Sequence, residues 1–325
     1  MMTTNTVARF QELREALKTE ANWRSPGVLR DAAAFAALGV EGAPAAIARD
    51  MKGVADRLKA EGRGVSFARS AARYALAADL IARGRDVGAF LSNLRAGRDA
   101  WKAGDLRRGG FHTDYALILS ASAGDGEPVE ATRIAAIKSV YDAVKDAHFW
   151  HVGPYTLPAA AIAGTLAGPG AGTTALSIYD RIIIETPRLK GRAIAASLLS
   201  TLTDDDPGSA AARFSQMFAQ ARETVPQPAR VTQLVALAAL SDMDAATFGD
   251  RARAATAEIR ALRPSVRKPR RMGLAFATYE ALSNSSDERA SRLSGLINAA
   301  QTYLALQAEQ AAVIAATSGA VAAAS

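Results

Sequence analysis

Two kinds of helical segment alternate along the chain. Segments of the first kind are short, rich in Ala and Leu and nearly uncharged, so a helix built from them is apolar on every side and has to be buried. Seven such segments occur, and they cover residues 32–38, 74–82, 115–121, 157–167, 193–202, 231–240 and 272–282. Their centres lie about 40 residues apart, which indicates an internal repeat long enough for a helical hairpin.

Segments of the second kind carry a single apolar stripe. Ile47, Met51, Val54 and Leu58 are spaced by three or four residues and therefore share one face of a helix. The same spacing recurs in one segment after each later apolar run: 87–101, 134–144, 174–185, 210–224, 245–262 and 288–306. A striped helix covers a buried neighbour on one side and faces water on the other.

The alternation predicts an all-α fold, a two-layer array of about seven helical hairpins with at least about 65% helix. Such an array is either an open α-solenoid or a closed α/α toroid, and the sequence favours neither. We expect one helical-repeat domain over 1–325, ending in an Ala-rich tail at 311–325. The residues predicted to be buried in the inner layer are Phe35, Leu76, Leu80, Leu117, Ile162, Leu166, Leu198, Leu237 and Phe276.

One short run opposes an all-helical reading. Residues 181–184 read Arg-Ile-Ile-Ile, and β-branched side chains favour strands. The run ends an amphipathic pattern, however, so helix is the better prediction there.

The overall composition excludes several classes of site. The chain has no Cys, which rules out disulfides, thiolate metal ligands and a Cys nucleophile. Residues 1–20 have no continuous hydrophobic stretch, so we expect no signal peptide. The longest uncharged span, 152–179, is interrupted by Pro and Gly, so we expect no membrane span and a cytoplasmic protein. No metal and no cofactor is predicted.

Positive charge is concentrated where the apolar helices begin. The net charge is +7, and 31 of the 39 basic residues are Arg. The stretches at the predicted helix starts are 24–31, 63–73, 107–114, 148–155, 188–192, 226–230 and 263–271. Together these 54 residues contain 16 Arg or Lys and only two acids, so they carry +14 and the rest of the chain carries −7.

This concentration predicts a basic rim. In an alternating array the inner helices run parallel, so all their starts lie on one edge, where side-chain charge adds to the N-terminal amides. The alternative is that these are ordinary solvated loop positions, as the densest cluster, 263–271, with its two prolines, also allows. The predicted anion-binding residues are Arg69, Arg73, Lys190, Arg192, Arg230, Arg267 and Arg270.

A second group of residues has the chemistry for catalysis. A His base oriented by Asp would need contacts between the starts of two neighbouring inner helices. The candidate catalytic residues are His112, Asp114, Tyr115, His151 and Tyr155. The alternative is that the histidines cap helices or stack on the aromatic residues beside them, and no metalloprotease-type His motif is present.

The sevenfold alternation and the ending QAEQAAVIAATSGAVAAAS resemble a bacterial family of all-helical proteins known only as a domain of unknown function. The resemblance covers most of the chain. It implies a cytoplasmic bacterial helical protein and supplies no catalytic residues.

These observations favour a helical-repeat binding or scaffold protein whose basic rim takes an acidic protein or a phosphorylated ligand. The alternatives are an α/α-toroid enzyme with a His/Asp/Tyr site and a nucleic-acid-binding helical-repeat protein. Whether the chain is an enzyme, and its oligomeric state, are left open by the sequence.

Overall fold

The structure is a computed structural model that describes residues 3–21, 27–62, 70, 72–104, 111–124, 127–153, 155–226, 231–266 and 268–285. Across these residues the chain forms 14 α-helices and no strand, and the structure is 77% helical. The prediction of an all-α fold with at least about 65% helix is therefore confirmed.

Each predicted apolar segment overlaps one helix. These helices are α2 (Gly27–Ala36), α4 (Arg73–Ala82), α6 (Phe111–Ala123), α8 (Thr156–Leu166), α10 (Ala193–Ser200), α12 (Thr232–Ala238) and α14 (Pro269–Ser283). The helices that alternate with them are α1 (Thr3–Thr19), α3 (Pro44–Glu61), α5 (Val87–Ala103), α7 (Ala131–Ala147), α9 (Ala171–Glu185), α11 (Pro207–Thr224) and α13 (Ala245–Ala261). The isoleucine run at 181–184 is helical, within α9. The striped segment 288–306 and the tail 311–325 lie outside the described residues.

The chain divides into two compact units. The first comprises residues 1–92, 261–267 and 298–325, and the second comprises 93–260 and 268–297. In the first unit α1 packs against α2 and α3, and α4 packs against the same two helices. The loop after α13 also belongs to this unit, since Gln11 donates from Nε2 to the carbonyl of Arg263 at 2.7 Å. A single domain over 1–325 stays a prediction.

In the second unit, the apolar helices contact one another in series. Helix α8 packs against α6 and α10, and α12 packs against α10 and α14. The striped helices form a second series of contacts, in which α9 packs against α7 and α11. Burial follows the two sequence patterns: all eight residues of α10 are buried, whereas α7 buries only Ile134, Ile137, Val140 and Val144. This difference is what an all-round apolar helix and a single stripe predict.

Small residues allow two of these helices to approach α7 closely. A Cβ added to Gly164 of α8 would lie 2.8 Å from the Cα of Ile137. One added to Gly172 of α9 would lie 2.8 Å from the Cβ of Ala143. Neither distance is sterically tolerable, so a larger side chain at either glycine would push the helices apart.

Eight of the nine residues predicted for the inner layer are buried, and Leu166 is the exception. Its residue surface is 38% exposed. Leu166 is the last residue of α8, and Ala167 already occupies the C-cap position. The apolar run in the sequence extends to the very end of the helix, where the side chain is exposed, so the prediction for Leu166 is wrong.

A search of the described residues for helices that combine the length and the apolar character of a membrane span finds none.

Candidate anion-binding site

A cavity of about 460 Å³ opens at the starts of α12 and α14 in the second unit. The described residues that line it combine basic and apolar side chains. They are Val225, Pro226, Val231, Arg260, Lys268, Pro269, Arg270 and Arg271. The cavity therefore lies in the densest basic cluster of the sequence and between two of the stretches where positive charge concentrates.

The apolar floor of the cavity is formed by residues that follow α11 and precede α12, namely Val225, Pro226 and Val231. Helix α11 ends at Thr224, and the backbone N–H of Val225 still donates to Ala221 at 3.0 Å. Val225 and Val231 are buried, so they form a fixed floor beneath the cavity. Val231 is the N-cap residue of helix α12.

The basic wall is built by the first turn of α14. Lys268 adopts a left-handed backbone (φ 55°, ψ 57°) and is the N-cap residue of this helix. Its carbonyl accepts hydrogen bonds from the N–H groups of Arg271 at 3.0 Å and Met272 at 3.2 Å. Pro269 suits the first turn of the helix because proline has no N–H group that would need an acceptor there. Arg260, from the last turn of α13, supplies a fourth cation.

Four cations and no carboxylate line this cavity among its described residues. A lining of this sign favours an anionic ligand over a cationic one. The amino terminus of the 15-residue helix α14 adds the positive end of its dipole on the same wall. The floor of valines and prolines suits an apolar group attached to the anion.

Two more of the predicted anion-binding residues lie at the start of α10. Lys190 and Arg192 flank Gly191 in a short 3₁₀ turn, and both side chains are exposed. Neither forms an ion pair with a described residue. The start of α12 reaches this turn, since Thr232 donates from Oγ1 to the carbonyl of Arg192 at 3.2 Å.

Arg73 lies at the start of α4 in the first unit. Its Nη1 donates to the carbonyl of Ser70 at 2.7 Å, and its guanidinium lies 5.1 Å from the ring centre of Tyr74. Part of its donor capacity is therefore used locally. The remaining predicted residues, Arg69, Arg230 and Arg267, lie outside the described residues.

Two of the candidate catalytic residues, Asp114 and His151, have partners outside the candidate set. Asp114 is buried in the first turn of α6, where Arg98 of α5 donates to its Oδ1 from Nε at 2.8 Å and also from Nη2. Tyr115 is buried, and Tyr155 is half-buried just before α8. His112 lies in the backbone of α6, but its side chain lies outside the described residues.

His151 is bonded to a tyrosine that the sequence analysis did not single out. The hydroxyl of Tyr179 in α9 lies 2.9 Å from its Nδ1, and the ring of His148 lies 4.4 Å from that of Tyr179. Burial raises the pKa of Tyr179, and the charge of Asp180 adds to the effect, so the phenol keeps its proton. Among the described residues no three His, Asp or Glu side chains lie together as metal ligands would.

Three residues that matter here were missed by reasoning on helix starts. Arg260 is at the end of a striped helix, and Tyr179 and Arg98 lie in the middle of such helices. No local pattern marks them, because their roles depend on which helices meet in the fold.

Comparison of the chain with protein-family models, with curated proteins and with solved structures finds no match.

Proposed function

We propose that this chain is a helical-repeat binding or scaffold protein that takes an anionic partner on a basic rim, with the cavity at α12 and α14 as its main contact. The partner is a phosphorylated ligand or an acidic segment of another protein. The bacterial, cytoplasmic setting that the sequence resemblance implies is part of the same proposal.

The helix contacts in the second unit support the architecture. Apolar helices in one series and striped helices in another are what a two-layer array of hairpins requires. Arrays of this kind present extended surfaces for binding, whether they are open solenoids or closed α/α toroids. Both forms place successive inner-helix starts side by side, as the link between Thr232 and Arg192 does for α12 and α10.

The cavity itself carries the functional proposal. Four basic residues line about 460 Å³ whose floor is formed by Val225 and Val231. Arginine suits phosphate and carboxylate because its planar donors bind two oxygens at once. An anion with an attached apolar group matches both the basic and the apolar lining residues, whereas a neutral apolar ligand would match only the valines and prolines.

The proposal is tested by calorimetric titration with phenyl phosphate and inorganic phosphate. Phenyl phosphate is expected to bind more tightly, because its ring covers the apolar floor. Arg270→Glu is expected to abolish detectable binding of both probes. Lys102→Glu is the matched control, since it makes the same charge change on an exposed residue of α5 that does not line the cavity.

Two results would contradict the proposal. One is that neither probe binds the unaltered protein. The other is equal weakening by Arg270→Glu and Lys102→Glu, which would indicate a diffuse effect of net charge in place of a site.

A further inference from the structure

The turn that precedes α8 leaves two aromatic side chains in solvent. Trp150 is 91% exposed and Phe149 is 61% exposed, and the other exposed large apolar side chains among the described residues are Leu166 and Ile184. The two rings form an edge-to-face pair with centres 5.4 Å apart. We call Phe149 and Trp150 the aromatic pair. Exposed large apolar groups that lie side by side mark an interaction site more often than isolated ones do.

The aromatic pair is held on a supported backbone. Phe149–His151 form a 3₁₀ turn, and the histidines on either side of the pair contact Tyr179 of α9. The rings of His148 and His151 stack on each other with centres 5.8 Å apart. These contacts hold the turn against α9, while the side chains of Phe149 and Trp150 remain in solvent.

Two cations are placed beside the aromatic pair. The 3₁₀ turn Lys190–Arg192 packs against the turn that bears the pair, and a Cβ on Gly191 would lie 3.1 Å from the carbonyl oxygen of His151. Lys190 and Arg192 flank that contact and are exposed without an ion pair to a described residue. Neither of the stretches 148–155 and 188–192 contains an acid.

We infer that the aromatic pair, together with Lys190 and Arg192, binds single-stranded nucleic acid. A nucleotide in a single strand carries a planar base and a phosphate, and its base is free to stack. Stacking on Trp or Phe with phosphates on nearby cations is the usual way in which proteins bind single strands without reading sequence. The site lies outside the cavity at α12 and α14 but shares Lys190 and Arg192 with the proposed basic rim, and it goes beyond the proposed function by naming the class of partner.

Other partners match only part of this surface. An acidic peptide supplies negative charge but no planar face at each residue for Trp150. A membrane surface would bury a broader apolar patch, whereas histidines flank the pair and the turn that packs against it carries two cations. Duplex nucleic acid keeps its bases stacked inside and leaves the rings without a partner.

The first experiment measures binding of a labelled oligothymidylate of about 12 nucleotides by fluorescence anisotropy. Trp150→Ala is expected to weaken binding by about 5-fold to 100-fold, the range found when a stacking aromatic is truncated. Trp150→Phe is expected to keep most of the affinity, because a planar ring remains. Ile184→Ala is the matched control, since it removes an 81% exposed apolar side chain from the same unit.

The second experiment separates stacking from charge. For the same strand, the slope of log affinity against log salt is expected to become shallower by about 0.7 in Arg192→Gln, because one phosphate contact is lost. Trp150→Ala is expected to leave that slope unchanged while it lowers the affinity. If Trp150→Ala changed the salt slope and left the affinity unchanged, a stacking role would be contradicted.

Competition identifies the class of partner. The labelled strand is titrated with unlabelled strand, duplex of the same length, thymidine monophosphate, polyglutamate and phosphatidylglycerol vesicles. Competition by the unlabelled strand alone supports the inference. Equal competition by any of the other four overturns it, as does unchanged affinity in Trp150→Ala.

Discussion

Apolar helices begin with charged residues in both units, but the charges are used in two different ways. At α2 and α6 an acid is buried near the helix start, and an arginine from the preceding striped helix binds it: Arg14 holds Asp31, and Arg98 holds Asp114. At α10 the cations Lys190 and Arg192 stay exposed with no ion pair to a described residue. A buried pair joins two helices, whereas an exposed cation is available to a partner.

The pair between Arg14 and Asp31 shows the first use most clearly. Their atoms Nε and Oδ1 are 2.7 Å apart, and the two side chains are 1% and 4% exposed. Arg14 also donates to the carbonyl of Pro264, from Nη1 at 3.2 Å and Nη2 at 3.1 Å. Burial raises the pKa of Asp31 even though Arg14 and Arg30 lower it. The charges at this helix start serve the fold.

The largest effect is expected from breaking that buried pair. Arg14→Met leaves the Asp31 carboxylate buried without its partner, which should lower the free energy of unfolding by about 3–5 kcal/mol at neutral pH. Arg49→Met is the control, because Arg49 pairs with Glu20 on the surface and the loss should stay below about 1 kcal/mol. Urea unfolding followed by circular dichroism measures both. Equal, small losses would show that the pair in α1 and α2 does not support the fold.

Adding Asp31→Leu to Arg14→Met sharpens this result. Replacing both charges by apolar groups removes the unpaired carboxylate, so most of the lost stability should return. A double variant that is no more stable than Arg14→Met would mean that packing of the arginine stem, not its charge, is what matters.

Helices α10 and α12, beside the exposed cations Lys190 and Arg192, should depend on apolar packing for their stability. Leu198 of α10 is fully buried, so Leu198→Ala should cost about 2–5 kcal/mol through lost burial and a cavity. Leu237→Ala in α12 should behave in the same way. Leu166→Ala, at the exposed end of α8, provides the matched comparison and should cost much less. Urea unfolding measures all three variants. A loss of stability in Leu166→Ala as large as in Leu198→Ala and Leu237→Ala would contradict the burial pattern.

Charge reversal in the exposed region should change binding and not folding. Arg192→Glu combined with Arg270→Glu is expected to lower retention on a heparin column while the free energy of unfolding changes by less than about 0.5 kcal/mol. Both side chains are exposed, which is why the fold tolerates the change. Unchanged retention of this double variant would count against the basic rim.

The helices were predictable because their signal is local. Alternation between all-round apolar runs and single stripes is visible within a few turns, and α10 and α7 bury what those patterns predict. Partnerships between helices were not predictable. Asp114 is bound by an arginine 16 residues away and His151 by a tyrosine 28 residues away. In each case the partner lies on a different element, so no local pattern in the sequence reveals it.

Exposure of single side chains was also beyond the sequence. Trp150 and Leu166 have apolar side chains like those of the core, yet both are exposed. Leu166 is the last residue of α8, and Trp150 lies in a turn whose two histidines make the contacts to Tyr179. Burial at such places depends on where a helix ends, which the apolar pattern does not mark.

The smallest expected effect is a pH dependence confined to the first unit. Without Arg14, burial acts unopposed by its strongest neighbouring charge, so the pKa of Asp31 should rise further above its ordinary value. An acid with a raised pKa in the folded state destabilises the fold fully above that pKa and less as the pH falls toward the unfolded value of about 3.9. The deficit of Arg14→Met relative to the unaltered protein should therefore shrink on acidification. Urea unfolding at several pH values measures it, and the double variant that also carries Asp31→Leu should show no such narrowing.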